Sequence, residues 1–405
     1  MNWKVVLAVL SVNVFFMCAS YTMLVPFLPM YLTSELGVSA EAVNIWSGAA
    51  FSAAFVVSAF VAPLWGRLAD KHGRRLMAMR SSAMLAISYG LCGLVQTPEQ
   101  LIIVRLFHGF ASGLWPMDLA IMTLYAPQAK VGYCLGILQS INICGGIMGP
   151  LLGGVLATLV GMRESFFLGA AGLTLNFLVF TFIIKEPPDP ERERKAAAIA
   201  CGEDPDAGRP KFSPWRMPIL RDMLLSGMLV SMVILILQPV LPTYITSLVG
   251  QVDNLPLVCG IVFSLGGLAG AIAAPFWGTL GQRRGFMRTL CWGATGAGLC
   301  LIVQSLPHHL YLFAALQFAG GLFFAGIFPA LNSNLAANTP SDYKGRIFGL
   351  LFSVQQAGSF LGPLLGGIIA TYLGMHYIFI IAGGLLLLLS LTLYRKYLHH
   401  GMIAG

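Results

Sequence analysis

The chain is predicted to be an all-α integral membrane protein, with twelve transmembrane helices in two pseudo-symmetric six-helix bundles. Composition, an internal repeat and the placement of positive charge carry that prediction. Of 405 residues, 57% are hydrophobic and only 10% charged, too few to cover a soluble surface of that size. Pro26-Phe27-Leu28-Pro29-Met30-Tyr31 returns as Pro239-Val240-Leu241-Pro242-Thr243-Tyr244, and Ala62-Pro63-Leu64-Trp65-Gly66 as Ala274-Pro275-Phe276-Trp277-Gly278. Gly149-Pro150-Leu151-Leu152-Gly153-Gly154 returns unchanged as Gly362-Pro363-Leu364-Leu365-Gly366-Gly367. The offsets are 213, 212 and 213 residues. An apolar unit repeated in register marks a membrane protein of two like halves, the architecture of a machine that rocks about a central site.

Apolar stretches of about 20 residues can cross a hydrocarbon core of about 30 Å as helices. They lie at 4–32, 43–66, 76–95, 99–125, 131–159 and 165–185, then at 219–248, 255–281, 286–305, 308–335, 345–372 and 376–395. Six fall in each repeat. This gives an N-terminal bundle over 1–185, a cytoplasmic linker over 186–216 and a C-terminal bundle over 217–405. The first stretch runs on from Val5 with no small-residue cleavage site after a short apolar region, so it reads as a retained span.

Basic residues set the orientation. Of 24 Lys and Arg, 22 lie in or beside the N-terminus, the even-numbered connections and the C-terminus. Arg67, Lys71, Arg74, Arg75 and Arg80 follow span 2, while the odd-numbered connections hold only Arg163. The positive-inside rule puts both termini in the cytoplasm, as expected of a multi-pass protein of the cell membrane. The net charge of +8 is then explained by loops facing anionic lipid, and no nucleic acid is implied. The eight cysteines are scattered without metal-ligand spacing, so neither a metal nor a disulfide is expected.

The polar stretch from Lys185 to Trp215 mixes both charge signs with proline, as in Pro187-Pro188 and Glu191-Arg192-Glu193-Arg194-Lys195. It reads as a solvated linker. A short amphipathic helix from Arg192 to Ile199 fits the pattern.

Several local motifs resemble those of the major facilitator superfamily, and more narrowly its twelve-span drug/proton antiporters. Gly66-Arg67-Leu68-Ala69-Asp70-Lys71-His72-Gly73-Arg74-Arg75 matches the family signature between spans 2 and 3. Arg105-Leu106-Phe107-His108-Gly109, with Gly113 and Pro116, matches its span 4 motif. The run from Gly145 to Gly154 matches the span 5 motif associated with antiporters. Pro26, Phe27 and Pro29 match the end of span 1, and Asn44-Ile45-Trp46-Ser47-Gly48 fits the bacterial multidrug-resistance branch. The resemblance covers the whole chain and names no substrate.

It implies roles that the residues can be tested against. Gly66, Asp70, Gly73 and Arg74 form a cytoplasmic gate: the glycines permit a tight connection, Asp70 suits the start of span 3, and Arg74 can pair with an acid or cap a helix. The alternative is a loop that only stabilises topology. In the second half Gln282 replaces Asp70 and Met287 replaces Arg75, so the halves should not gate equally. Gly145, Gly149, Gly153 and Gly154 let helices approach closely, and Pro150 bends the span. The same set recurs around Gly362 and Pro363. Spans 5 and 11 are therefore expected to pack against spans of the opposite half.

Arg105 and Asp118 stand out as ionisable residues deep in span 4. A charge at the bilayer centre costs roughly 3 kcal/mol or more, so such residues are functional candidates. They lie about 20 Å apart along a helix and cannot pair directly. Asp118 is the first candidate for proton coupling. A fixed salt bridge with Arg74 or Lys130, or a substrate contact, are the alternatives. Arg105 resembles the family's span 4 arginine, and His108 can share the proton work or serve as a hydrogen-bonded core residue. Span 1 holds no acid, only Asn13, Ser20 and Thr22, and Thr123 stands where the family often carries a further acid.

By analogy, the substrate cavity is lined by Tyr21, Trp46, Trp115, Gln139, Asn142, Gln238, Tyr244, Gln317, Asn332, Gln355 and Gln356. About half of these are expected to serve as interhelical hydrogen bonds instead. The chain should be a non-enzymatic secondary transporter that exports small amphiphilic compounds or drugs against a proton gradient, as a monomer and without a cofactor. Export of a metabolite, or proton-coupled uptake, are the alternatives. The lack of a GxxxxGKS/T phosphate loop, and loops too short for a nucleotide domain, argue against an ATP-driven pump.

Overall fold

Proline and glycine punctuate the apolar runs. The computed structural model describes residues 2–127, 130–185, 214–250, 254–307, 309–340 and 343–399. The linker from 186 to 213, with its expected short helix, lies outside them. In the first half the helices are α1 (Trp3–Met23), α2 (Leu28–Ser34), α3 (Val43–His72), α4 (Arg74–Leu94), α5 (Pro98–Ala111), α6 (Leu114–Tyr125), α7 (Val131–Leu159) and α8 (Met162–Phe182). The second half repeats them as α9 (Pro218–Ile236), α10 (Leu241–Val249), α11 (Leu255–Arg284), α12 (Phe286–Gln304), α13 (Leu310–Phe324), α14 (Ile327–Ala337), α15 (Lys344–Tyr372) and α16 (Met375–Leu393).

Local chemistry explains the boundaries. The Asn2 side chain accepts from the Lys4 amide to start α1, and Thr97 caps α5 with Pro98 at its first position. Gly73 has φ +104° and Gly285 φ +90°, so α3 turns into α4, and α11 into α12, through a single residue that a side chain would strain. Spans 1 and 7 are not continuous: Pro26 and Pro239 interrupt the backbone ladder, separating α1 from α2 and α9 from α10.

Ten helical segments among the described residues are long and apolar enough to cross a membrane. The other two expected spans are α4, which carries Arg74, Arg75 and Arg80, and the pair α5 and α6. Each half buries its own core, around Phe27, Tyr31, Tyr89 and Phe166 in the first and around Tyr244, Phe313 and Phe379 in the second.

The halves meet along two seams, α3 against α15 and α7 against α11. The seams are copies of one another. Gly48 faces the Pro363 carbonyl and Gly260 the Pro150 carbonyl; Gly367 faces Asn44 and Gly154 faces Pro256. Ser52 Oγ donates to the Phe360 carbonyl at 2.7 Å, and Ser264 Oγ to the Ile147 carbonyl at 2.6 Å. Contacts this close, backbone against backbone, exist only because glycine offers no Cβ.

Gly66, Gly136, Gly278 and Gly349 lie eighteen residues along the same helices. That is five turns, about 27 Å, and the same face. A Cβ at any of the four would meet no atom within 4 Å. The seams are therefore shut at one end and parted at the other. The parted end is the one that carries Arg67, Lys71, Arg74, Arg283 and Arg284, and is called the basic end below.

Spans 5 and 11 pack against the opposite half as expected, α7 on α11 and α15 on α3, but most of the motif glycines face their own half. A Cβ at Gly145 would come within 2.9 Å of the Phe15 carbonyl, and one at Gly149 within 2.8 Å of the Ala19 carbonyl. These glycines, with Gly153 against Met23, seat α7 on α1 of the same half. Gly358, Gly362 and Gly366 seat α15 on α9 likewise. Of the motif glycines and prolines, Pro150, Gly154, Pro363 and Gly367 are the ones seen against the opposite half. The reason is helical phase: residues four apart share a face, whereas Gly153 and Gly154 point about 100° apart.

Candidate functional site

Span 4 is broken near its middle. Ser112 and Gly113 separate α5 from α6, and Gly113 has φ +118°. A broken helix leaves carbonyls without amide partners, and lipid offers none. Side chains from spans 2 and 3 supply them. Trp65 Nε1 donates to the Phe110 carbonyl at 2.9 Å, Ser81 Oγ to Ala111 at 2.6 Å and Arg80 Nη2 to Ser112 at 2.9 Å. The Arg80 guanidinium lies 3.5 Å from the centre of the Trp65 ring. Arg80 thus belongs inside α4, where it caps the break, rather than to a basic loop.

On the far side of the break, Arg105 and His108 are brought together. Arg105 is 3% exposed and His108 5% exposed. The His108 ring lies 6.0 Å from Tyr21 and 5.5 Å from Tyr89, and its Nδ1 is 3.3 Å from Ser88 Oγ. Arg105 stands 6.0 Å from the Tyr89 ring. Tyr89 donates to the Ser20 carbonyl at 2.6 Å. Among the described residues Arg105 has no carboxylate partner, and its Nε and Nη2 are buried without an acceptor.

Asp118 stands apart, on the basic side of the break. It is fully buried, and neither carboxyl oxygen has a hydrogen-bond partner. The salt bridge with Arg74 or Lys130 is absent in this conformation. Arg74 Nη1 donates to the Ala120 carbonyl at 3.2 Å, and Arg75 to Phe180 and Thr181 at the end of α8. Thr123 is turned back on the Ala120 carbonyl. A buried carboxyl with free oxygens can take up a proton and give it back without first breaking an ion pair.

The gate residues lie where the seams have parted. Gly66 and Asp70 are in the last turns of α3, Gly73 forms the turn and Arg74 opens α4. With the basic end open, Gly66 faces no neighbour from the other half.

Several expected cavity residues are occupied elsewhere. Tyr244 is a core residue, not a wall: it is 1% exposed, packed on Phe313 and Phe379, with its hydroxyl on the Pro307 carbonyl. Gln317 accepts from Gln304 at 2.7 Å, and Gln355 packs against Gly227. Gln356 donates across the seam to Ser58 at 3.0 Å. Tyr21 touches Phe55 and His108, while Trp46 and Trp115 pack on the first-half core. Gln139 is exposed, and Asn142, Gln238 and Asn332 are half-buried. A cavity of about 580 Å³ at the basic end, lined by His72, Arg75, Phe182 and Lys185, is remote from Arg105.

Sequence reasoning missed Ser58, Trp65, Arg80 and Ser112. The signal was present in Ala111-Ser112-Gly113-Leu114-Trp115-Pro116, where glycine and proline three residues apart mark a helix stop and restart.

Two like halves shut together at one end and parted at the other have the form of a transporter, open to one side of the membrane at a time. The family model for the Major Facilitator Superfamily matches residues 10–284 and 223–400. The chain belongs to that superfamily and is a multi-pass membrane protein. It is 32% identical over 389 residues to the multidrug resistance protein MdtG of Dickeya zeae, covering 96% of this chain and 93% of that one. It is also 32% identical over 380 residues to MdtG of Proteus mirabilis, covering 93% and 92%. Among solved structures, the nucleoside transporter NupG superposes with a TM-score of 0.74 at 16% identity, covering 98% of this chain and 100% of that one. A bacterial homologue of the lysosomal transporter Spinster superposes with a TM-score of 0.77 at 15% identity, covering 98% and 97%. At those identities the structures share the fold alone.

Proposed function

We propose that this chain is a proton-driven efflux transporter for small amphiphilic molecules, with Asp118 as the group that exchanges the proton. Its burial without a partner, one helix segment away from the Arg105–His108 cluster, is the observation that carries the reading. The similarity to the MdtG multidrug resistance proteins supports export of drug-like compounds. On this reading the basic end faces the cytoplasm, and the conformation described is open inward, ready to load substrate. Gly66, Asp70, Gly73 and Arg74 then close that end in the other half of the cycle. The transporter works as a monomer, with the proton gradient in place of any cofactor and without nucleic acid.

The second half supports the assignment to the first. Its break between α13 and α14 keeps the tryptophan, with Trp277 Nε1 donating to the Leu322 carbonyl at 2.6 Å. It has no charge: Trp292 stands where Arg80 does, and Gly293 where Ser81 does. Ion chemistry therefore belongs to the first half.

The test is purified protein in liposomes loaded with a pH-sensitive dye, challenged with a panel of cationic, neutral and zwitterionic amphiphiles. Proton movement triggered by members of the panel supports the reading. Substrate accumulation without proton movement overturns it.

A further inference from the structure

The two seams are copies until one point. From the closed end, Gly48, Ser52 and their partners on α15 match Gly260, Ser264 and their partners on α7, contact for contact. The match then fails. Gln356 Nε2 reaches across from α15 to Ser58 Oγ at 3.0 Å. In the other seam, Gly270 and Ile143 hold the corresponding places and no such bond can form. The Gln356 bond is a polar link between halves with no twin.

The link does not end at Ser58. Ser58 Oγ lies 2.9 Å from Ser112 Oγ. A hydroxyl can accept from one neighbour and donate to another, so Gln356, Ser58 and Ser112 form a chain. Ser112 is the residue at which span 4 breaks, and its carbonyl is the one that Arg80 caps. The break separates Arg105 and His108 on one side from Asp118 on the other.

Position gives the chain its meaning. Ser58 lies close to midway between Gly48, where the seam is shut, and Gly66, where it is open. A bond at that level sits near the fulcrum of a rocking motion. A bond near a fulcrum is displaced least when the ends move, which would let a tilt of α15 pull on Ser112.

We infer that Gln356 is a positioning residue that transmits the tilt of the second half, through Ser58, to the break in span 4. It acts on the residues that flank the break, not on substrate. The inference rests on the transporter reading for its purpose, but not for its test.

The test is hydrogen–deuterium exchange on the full-length protein in lipid nanodiscs, without substrate. Gln356→Met keeps the side-chain length and removes the bond; Ser58→Ala removes the relay from the other side. Each should speed exchange at 110–116 by about threefold or more, with little change at the closed-seam segments 44–54 and 359–367. The double variant should be no faster than either single one, as expected of residues in one chain. Ile143→Ala, at the twin position, should leave 322–328 as in the wild type. Unchanged exchange at 110–116 in both single variants overturns the inference. So does acceleration of the closed-seam segments to the same degree, which would make Gln356 ordinary seam packing. Failure of proton-coupled transport in liposomes would overturn the proposed function and leave this result standing.

Discussion

The backbone of Gly48 rests against the Pro363 carbonyl of the opposite half, so closely that no side chain fits between α3 and α15 there. Gly260 and Pro150 repeat the arrangement in the other seam. One end of the molecule is shut by backbone contacts, and the other is open at glycines of the same face.

Substitutions at the two ends should therefore act in opposite directions. Gly48→Leu or Gly260→Leu holds the shut end apart and should deplete the conformation described here. Gly66→Leu or Gly278→Leu fits the parted end as it stands, and should obstruct its closure. Spin-label distances across each end should shift in opposite senses, with transport reduced tenfold or more in both sets. Similar shifts from both sets would contradict the seam geometry.

The tryptophan caps give a matched pair. Trp65→Phe and Trp277→Phe each remove one hydrogen bond to a carbonyl at a helix break. Each should cost about 1 kcal/mol, seen as a lower thermal midpoint. Trp65→Phe should also impair transport more, because only its break carries charged residues. Equal effects on transport would argue against a special role for the first half.

Arg105 should separate stability from activity. Among the described residues it is a buried cation without a carboxylate partner, which is costly in a membrane interior. Arg105→Gln should leave the thermal midpoint unchanged or raised while transport falls. A marked loss of stability would show that Arg105 is a structural residue.

Much of the fold could be read from the sequence because its causes are local and repeated. Apolar length, the 213-residue echo of Gly149-Pro150 and the single-residue turns at Gly73 and Gly285 are all written in the chain. The candidate charges Arg105 and Asp118 were legible as well, because few residues there are ionisable. What escaped depends on helix phase and on meetings between distant segments. Phase decides that Gly153 faces α1 while Gly154 faces α11. Arg80 reads as loop charge until the break in span 4 gives it a carbonyl to cap. Gln356 reads as a cavity wall until Ser58, far away in sequence, is found beside it.

The central claim is that Asp118 exchanges the coupling proton. The most direct measurement compares wild type with Asp118→Asn in proteoliposomes, using one compound that moves protons in the wild type. Uptake driven by a pH gradient is set against exchange of labelled for unlabelled compound at equal pH. Loss of gradient-driven transport with exchange retained is the predicted result. Full coupling in Asp118→Asn would contradict the account and move the proton to another group.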